Sequence, residues 1–248
     1  MTLNEMIYYR KSCRSFTGKP VDAEMIEKIL SFEPKPLYPE IKGRMDIVSR
    51  DNVKCICPWT TPQLIVIYSE EAEGYLENIG FLFQQMDLYL QTLGLGVCWL
   101  GMGRMNPKTT TQVEGMKFVI MLAFGNPKGD QLRRDLKSFK RKSMEQIMDK
   151  PDPRLEPARL APSAVNSQPW YFVHEDDTVH AYCSRKGSSL DTGIALAHLY
   201  VANKESFRFF KEETTAQIPG YGYIGSVTLG NGGVAYYGSL LEMWQPYD

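Results

Sequence analysis

Two amide side chains past the middle of the chain have the types and spacing to hold an uncharged ligand. Asn166 and Gln168 stand two residues apart, just before Pro169, within a stretch of mostly small residues at 161–170. Each amide offers a hydrogen-bond donor and an acceptor, which suits a planar ring rich in amide groups. The alternative is a polar loop that leads into a strand, since the β-prone aromatic run 170–173 begins where the stretch ends.

A basic cluster near the start of the chain could hold a phosphate. Arg10, Ser12 and Arg14 place two guanidinium groups and a hydroxyl within five residues. Guanidinium groups bind phosphate oxygens through paired hydrogen bonds, and a hydroxyl adds a neutral hydrogen bond to the same oxygens. The basic run 137–142 could serve the same anion. The alternative for both segments is a solvated, charged surface.

Two further motifs lack the order or the number of residues that a dinucleotide-binding site or a metal site requires. Glycines at 94–103 follow a predicted helix and precede a predicted strand, whereas a dinucleotide fingerprint needs a strand, then glycines, then a helix. Cys55 and Cys57 have no second cysteine pair nearby, and the three histidines lack metal-ligand spacing. The five cysteines are odd in number and scattered, which does not favour a disulfide framework. We therefore expect no metal site.

The composition is that of an ordinary soluble globular protein. Of the 248 residues, 43% are hydrophobic and 23% are charged, and the formal net charge is −1. A nearly neutral chain has no electrostatic reason to bind nucleic acid or an acidic membrane surface. No run of roughly 18 apolar residues occurs, and the N-terminus lacks a signal-peptide core, so we expect a cytoplasmic protein without membrane contact.

These motifs must be positioned by helices and strands. The clearest helix covers 76–93, where apolar residues recur every three or four positions and predict one long buried stripe. A shorter helix is expected at 3–9, and another after Asp22, which is a good N-cap. Residues 33–62, with five prolines and no clear period, predict an extended loop. Continuous apolar runs predict buried strands at 63–68, 97–101 and 117–124.

The second half of the chain repeats this pattern weakly. A short predicted strand at 168–173 corresponds to the one at 63–68, and a predicted helix at 191–200 corresponds to the helix at 76–93. Gly193 aligns with Gly80 in this comparison. The tail at 227–237 predicts a hairpin with an Asn-Gly turn. Strands separated by long helices predict an α+β or α/β fold, with a buried helix pair against a sheet and two related halves.

Five segments together resemble the FMN-dependent nitroreductase family. They are residues 10–21, 93–101, 123–127, 139–144 and 161–170, of which the last is the most specific. The resemblance implies an α+β, nitroreductase-like fold in which central, mainly antiparallel sheets pack on long buried helices. It also implies FMN as cofactor and NADH or NADPH as co-substrate.

One departure from that family concerns the order of its motifs. In ordinary members the Ala-Pro-Ser motif, which stands at 161–170 here, follows the Arg-x-Ser-x-Arg motif within roughly one helix. The flavin of those members lies at the interface of a dimer. Here the two motifs lie about 150 residues apart. The chain therefore resembles a single-chain, pseudo-dimeric branch with one flavin site. We expect an N-terminal half at 1–145 and a C-terminal half at 146–248, packed as one globular unit, which is consistent with a monomer.

The resemblance assigns twelve residues to the cofactor. They are Arg10, Lys11, Ser12, Arg14, Leu100, Gly101, Lys140, Arg141, Pro162, Ser163, Asn166 and Gln168. Arg10 and Ser12 would hold the FMN phosphate, helped by Lys140 or Arg141. Arg14 would lie near the N1–C2 carbonyl edge, where its positive charge stabilises the anionic reduced flavin.

The remaining residues would hold the flavin ring. Leu100 and Gly101 would offer backbone N–H groups to N5, and the loop at 162–168 would pack against the ring and hydrogen-bond it from the other half. No protein side chain is assigned a catalytic role, because N5 of the flavin carries the chemistry.

The implied activity is NAD(P)H-dependent reduction of nitroaromatic or quinone acceptors. Hydride would pass through flavin N5 in a ping-pong sequence, with a small-molecule electron acceptor as the only partner. Two alternatives stay open. One is a flavin-binding or carrier module without reductase turnover, and the other is a flavin-free scaffold that acts through protein contacts.

Overall fold

The computed structural model of the chain describes residues 1–55, 57, 61–106, 113, 115–213, 215–230, 234, 238 and 239. Its helices are α1 (Leu3–Tyr9), α2 (Ala23–Leu30), α3 (Tyr75–Thr92), α4 (Glu156–Arg159) and α5 (Ser189–Ala202). Its strands are β1 (Gly43–Ser49), β2 (Val53–Lys54), β3 (Gln63–Ser69), β4 (Gly96–Leu100), β5 (Arg104–Met105), β6 (Lys117–Gly125), β7 (Trp170–Glu175), β8 (Thr178–Ser184), β9 (Arg208–Phe210) and β10 (Tyr221–Thr228). Every helix predicted from the sequence is present.

The two short N-terminal helices begin where the sequence provides a cap. Thr2 Oγ1 accepts a hydrogen bond from the Glu5 N–H, while the Glu5 carboxylate accepts one from the Thr2 N–H at 2.7 Å. Asp22 Oδ1 accepts the Met25 N–H at 2.9 Å. Such caps satisfy N–H groups that have no partner inside a helix. The start of α1 is therefore fixed, and the basic motif follows directly from its end at Arg10.

The first sheet has the strand order β1-β3-β6-β4, and each neighbouring pair is antiparallel. β3 and β6 are the central strands, which explains their continuous apolar runs. The prediction of an extended loop at 33–62 is wrong for β1, which pairs with β3 along its whole length. β1 lies at the sheet edge and carries an exposed ion pair between Arg44 and Asp46, so the apolar pattern of a buried strand is absent.

The second sheet has the order β7-β8-β10-β9 and is also antiparallel. The strand predicted at 168–173 begins two residues later, because Gln168 has a left-handed backbone with a φ of 45°. The hairpin predicted at 227–237 is wrong in its pairing, since β10 ends at Thr228 and already has β8 and β9 as neighbours. The Asn231-Gly232 turn lies outside the described residues.

α3 and α5 pack against each other through two glycines. A Cβ atom added at Gly80 would lie 2.1 Å from the Leu190 carbonyl oxygen, and one added at Gly193 would lie 2.1 Å from the Glu77 carbonyl oxygen. The same sequence offset relates Gly80 to Gly193 and Glu77 to Leu190. The crossing is therefore two-fold symmetric in its contacts, like an interface between two copies of one element.

This helix pair joins the parts of the chain that carry the two sheets. The first sheet and α3 precede residue 145, whereas the second sheet and α5 follow it. Apolar side chains from both sheets and both helices form one continuous core cluster. The division of the chain at 145–146 stays a prediction.

Three further observations apply to the described residues alone. None of their helices is both long and apolar enough to cross a lipid bilayer. They contain no group of three or more His, Cys, Asp or Glu side chains that could hold a metal ion. All five cysteines are free thiols.

Candidate active site

A cavity of about 270 Å³ lies where α5, the end of β4 and the loop before β7 meet the segment after α1. Its volume is near the lower limit of small-molecule sites, which are roughly 300–1,000 Å³. The apolar side chains around it include Trp99, Leu100, Met102, Ile120, Leu190 and Ile194. Such walls favour a flat, largely apolar ring.

The two sequence motifs both reach this cavity. Six of the twelve predicted residues line it, namely Ser12, Arg14, Leu100, Gly101, Pro162 and Ser163. The other six, Arg10, Lys11, Lys140, Arg141, Asn166 and Gln168, are not among the residues that line it. The cavity is thus built from segments about 150 residues apart in sequence.

Backbone pairing with β4 places Ser12 at the cavity. Ser12 forms a parallel bridge with Val97, and the Cys13 N–H donates to the Val97 carbonyl oxygen at 2.8 Å. Gly96 permits this close approach, because a Cβ atom there would lie 2.5 Å from Cys13 Sγ. The basic motif is therefore fixed by the sheet on one side.

Arg10 and Lys11 are held by α3. Arg10 Nε donates to Asp87 Oδ1 at 3.0 Å, and the two side chains are 1% and 0% exposed. Arg10 Nη2 also lies 3.4 Å from Ser12 Oγ. Lys11 is exposed, and its backbone N–H donates to Gln91 Oε1 at 3.0 Å. Arg10 therefore lies behind Ser12, in contact with the helix rather than with the cavity.

The loop 163–168 has an unusual backbone. Positive φ angles occur at Val165 (47°), Asn166 (59°) and Gln168 (45°). This region is costly for a β-branched residue such as valine, and Val165 is also 98% exposed at the cavity. The Gln168 N–H donates to Ser163 Oγ at 2.9 Å and holds the loop in this shape. The exposed apolar side chain and the strained backbone make this loop a candidate contact for a ligand.

The two amides of this loop bind the basic segment. Asn166 Oδ1 accepts a hydrogen bond from Arg141 Nη1 at 2.6 Å, and Asn166 Nδ2 donates to the Lys140 carbonyl oxygen at 3.0 Å. Gln168 Oε1 accepts the Lys142 N–H at 2.9 Å. Asn166 and Gln168 therefore fix the position of the basic segment relative to the loop.

A cluster of arginines lies beside this loop. Burial, and then the charges of Arg10, Arg133 and Arg159, lower the pKa of Arg141 to about 9. Burial and the charge of Arg10 lower the pKa of Arg133 to about 10. Carboxylates of the described residues pair with Arg10 and Arg159, but with neither Arg133 nor Arg141. Both remain cationic at neutral pH, so the cluster has the charge to hold an anion.

Sequence reasoning missed several polar groups of this region. Asp191, Cys57 and Cys98 line the cavity, and Arg133 belongs to the arginine cluster. Asp191 is 4% exposed, and burial raises its pKa to about 6 although the Ala164 N–H acts in the opposite direction. In sequence, an acid in the first turn of a helix is an ordinary partner for the helix dipole, so nothing marked Asp191.

The fold and the cavity define the class of protein. Two antiparallel sheets on a buried helix pair, with a ring-sized cavity lined by segments about 150 residues apart in sequence, are the features of a nitroreductase-like oxidoreductase. A family model described as "Putative TM nitroreductase" matches residues 2–203. The chain belongs to this nitroreductase family, and it is an oxidoreductase.

One solved structure agrees with this assignment at the level of the fold. A nitroreductase of Thermotoga maritima shares 21% identity over 92% of this chain and 93% of that chain, with a TM-score of 0.64. A nitroreductase of Desulfitobacterium hafniense with bound FMN shares 15% identity over 58% of this chain and 98% of that chain, with a TM-score of 0.45. An FMN-dependent nitroreductase of Clostridium difficile shares 18% identity over 54% and 95%, with a TM-score of 0.40. No curated protein matches the chain.

Proposed function

We propose that the protein is an FMN-dependent NAD(P)H oxidoreductase that reduces nitroaromatic or quinone acceptors in a ping-pong sequence. The observation that carries the proposal is the meeting of both sequence motifs at one apolar cavity, next to arginines without carboxylate partners. Membership of the nitroreductase family supports it.

The chemistry of the residues fits FMN part by part. The apolar walls of the cavity suit the ring system, and its volume of about 270 Å³ suits the ring without the ribityl phosphate. The phosphate requires cationic donors, which Arg133 and Arg141 supply at one side of the 163–168 loop. Val165, exposed at the cavity, supplies an apolar contact for the ring.

Each lining residue then has a role toward the cofactor. Arg14 places a positive charge at the cavity, which stabilises negative charge on a reduced ring. Leu100 and Gly101 offer backbone N–H groups at the end of β4, and Pro162 packs from the other side. FMN, when bound, supplies the hydride chemistry, and the surrounding apolar side chains exclude water from it.

The structure modifies the expected role of Arg10. Its Nε and Nη2 groups both face Asp87, and Nη2 also lies near Ser12 Oγ. We therefore assign Arg10 to positioning Ser12 and adding charge to the cluster. Arg133 and Arg141 already donate hydrogen bonds to backbone carbonyl oxygens, those of Arg10 and Ser138 for Arg133 and those of Phe139 and Leu160 for Arg141. We therefore assign to them the positive charge that attracts the phosphate, with direct contacts through their remaining N–H groups. Lys140 is exposed beside them and adds charge to the same region.

We infer further that one chain suffices for one site. The first sheet, α5 and both motifs contribute to the cavity within a single chain, so a monomer would carry a complete flavin site. The electron acceptor and the nicotinamide would enter the same cavity in turn, as small molecules.

The test combines a spectrum with a turnover measurement. The purified protein is mixed with FMN, freed of excess, and examined for flavin absorbance; NADH or NADPH oxidation is then followed with menadione or a nitroarene. The proposal expects a yellow protein that oxidises one of the two nicotinamides. A colourless protein after reconstitution points to the flavin-free scaffold, and a yellow protein without turnover points to the flavin carrier.

A further inference from the structure

The cavity contains one acid among mainly apolar walls. Asp191 stands in the first turn of α5 with its side chain at the cavity and only 4% of its surface exposed. Burying a carboxyl group in apolar surroundings is costly, and a chain that needed only a hydrogen-bond acceptor here could use a neutral side chain. The position of this acid therefore calls for a chemical role.

One oxygen of Asp191 is held and the other is available. Oδ1 accepts the Ala164 N–H at 3.1 Å, which fixes the carboxyl group against the 163–168 loop. In the part of the chain that the structure describes, this is the single hydrogen bond to the group, so Oδ2 has no protein partner there, in a side chain that lines the cavity. A carboxyl group fixed through one oxygen presents the other in a constant direction.

We propose that Asp191 is the acid that donates a proton to the electron acceptor during its reduction. This role rests on the proposed FMN-dependent function. For a quinone, a hydride from the reduced cofactor supplies two electrons and one hydrogen, the O–H bond at Oδ2 breaks, and a new O–H bond forms on a quinone oxygen. The product is the neutral hydroquinone, and the Asp191 carboxylate then regains a proton from water.

The surroundings favour the protonated form of this carboxyl group. Burial raises its pKa to about 6, and a bound ring would displace water from the cavity and raise it further. The other charged or titratable groups at the cavity are Arg14, Cys57 and Cys98, while Cys183 on β8 interacts electrostatically with both Asp191 and Glu77.

The test uses two acceptors that differ in their need for a proton. Menadione takes up protons when it is reduced, whereas ferricyanide takes one electron and no proton. Asp191→Asn keeps the side-chain oxygen that accepts the Ala164 N–H but cannot donate a proton as an acid. In the FMN-loaded protein we expect the rate of reoxidation by menadione to fall about 100-fold or more. Reoxidation by ferricyanide and reduction by the nicotinamide should change less than about twofold, as should both reactions in the surface control Asp46→Asn.

A second measurement needs no turnover. Infrared spectra recorded between about pH 5 and about pH 8 should show a protonated carboxyl band that is lost near pH 6 in the wild type and absent in Asp191→Asn. If the variant does not fold, the wild type still decides, because its menadione rate must fall with rising pH while its ferricyanide rate does not. An unchanged menadione rate in Asp191→Asn, or an equal loss with both acceptors, overturns the proton-donor role. A protein that binds no flavin overturns the proposed function instead.

Discussion

Arg10 Nε donates to Asp87 Oδ1 at 3.0 Å, and both side chains are almost completely withdrawn from solvent. A buried ion pair is weak evidence for stability, but removing one partner leaves an uncompensated charge in the interior. The pair links the end of α1 to the middle of α3 and places the Arg10 guanidinium behind Ser12 at the cavity. The Arg10–Asp87 pair therefore connects the buried helix α3 to the cavity residue Ser12.

The same carboxylate is linked to the cavity wall through Gln84. Gln84 Nε2 lies 3.4 Å from Asp87 Oδ1 and 3.0 Å from His198 Nε2, and Trp99 Nε1 donates to Gln84 Oε1 at 3.1 Å. His198 Nδ1 faces a backbone carbonyl and must donate, so Nε2 is the acceptor. Burial lowers the pKa of His198 to about 3, which keeps this arrangement neutral. Trp99, a cavity residue, is thereby oriented by the core.

Replacing Asp87 should destabilise the whole protein. Asp87→Asn leaves the Arg10 charge buried without a counter-charge, and we expect the free energy of unfolding to fall by about 3 kcal/mol or more. Urea denaturation measures this change. Asp46→Asn removes the partner of Arg44 in a surface ion pair and should cost less than about 1 kcal/mol. Equal effects of the two substitutions would contradict the role given to the buried pair.

Removing an arginine of the cluster should weaken FMN binding. A charged hydrogen bond contributes roughly 1.5–3 kcal/mol, so Arg141→Ala should raise the dissociation constant for FMN about 10- to 150-fold. Arg133→Ala should act in the same direction. Lys137→Ala, an exposed residue of the same basic run, should have little effect. Quenching of flavin fluorescence measures each constant, and unchanged affinity in both arginine variants would remove the cluster from the phosphate site.

Asn166 should act on flavin retention through Arg141. Replacing Asn166 removes the amide that forms the 2.6 Å hydrogen bond with Arg141 Nη1, and we expect weaker FMN binding with the fold intact. Asn166→Ala also places on a left-handed backbone a residue that tolerates it less well than asparagine, whereas Asn166→Gly removes the amide and tolerates the φ of 59°. Both variants should lose FMN affinity to a similar extent, about 5- to 10-fold for a hydrogen bond of about 1 kcal/mol. Loss confined to the alanine variant, or an unfolded product in both, would mean that the residue shapes the turn and does not act through its amide.

The elements with strong apolar patterns were predictable from the sequence, including the edge strands β4 and β7, whereas the edge strands β1 and β9 were not. α3 and the central strands β3 and β6 bury most of their apolar side chains, so periodicity or a continuous run identified them. β1 and β9 lie at sheet edges, and what marks them is pairing with a distant strand, which leaves little trace in local composition.

The candidate site was predictable only where one segment carries its own signal. Ser12, Arg14 and the 161–170 stretch belong to local motifs with recognisable spacing. Arg133 and Asp191 acquire their importance from neighbours brought together by folding, because an arginine cluster and an apolar cavity are not visible along the chain. The amides Asn166 and Gln168 illustrate the same limit, since their partners in the structure belong to the basic segment.

Asp191 should make stability depend on pH. Its pKa is raised from 3.8 to about 6 in the folded protein, so the folded chain binds more protons than the unfolded chain between these values. Stability from this group is therefore present at about pH 4, is lost as the pH rises through about 6, and stays lower above it. Asp191→Asn removes this loss and should raise the free energy of unfolding by about 2–3 kcal/mol near pH 8, with no gain near pH 4. Urea denaturation at the two pH values measures the difference; an equal effect at both would show that the charge of Asp191 is not the cause.

The symmetric helix crossing should tolerate no side chain at either glycine. A Cβ atom at Gly80 or Gly193 would lie 2.1 Å from a backbone carbonyl oxygen of the facing helix, and a backbone atom in a packed helix cannot move aside at low cost. Gly80→Ala and Gly193→Ala should each lower the free energy of unfolding by about 3 kcal/mol or more, although alanine is the better helix former. Gly222→Ala is the matched control, because nothing lies within 4 Å of the added atom. Since each substitution separates the same two helices, the double variant should lose less than the sum of the single losses. If thermal unfolding shows that the losses in the free energy of unfolding are additive, the two contacts form independently and do not belong to one symmetric interface between α3 and α5.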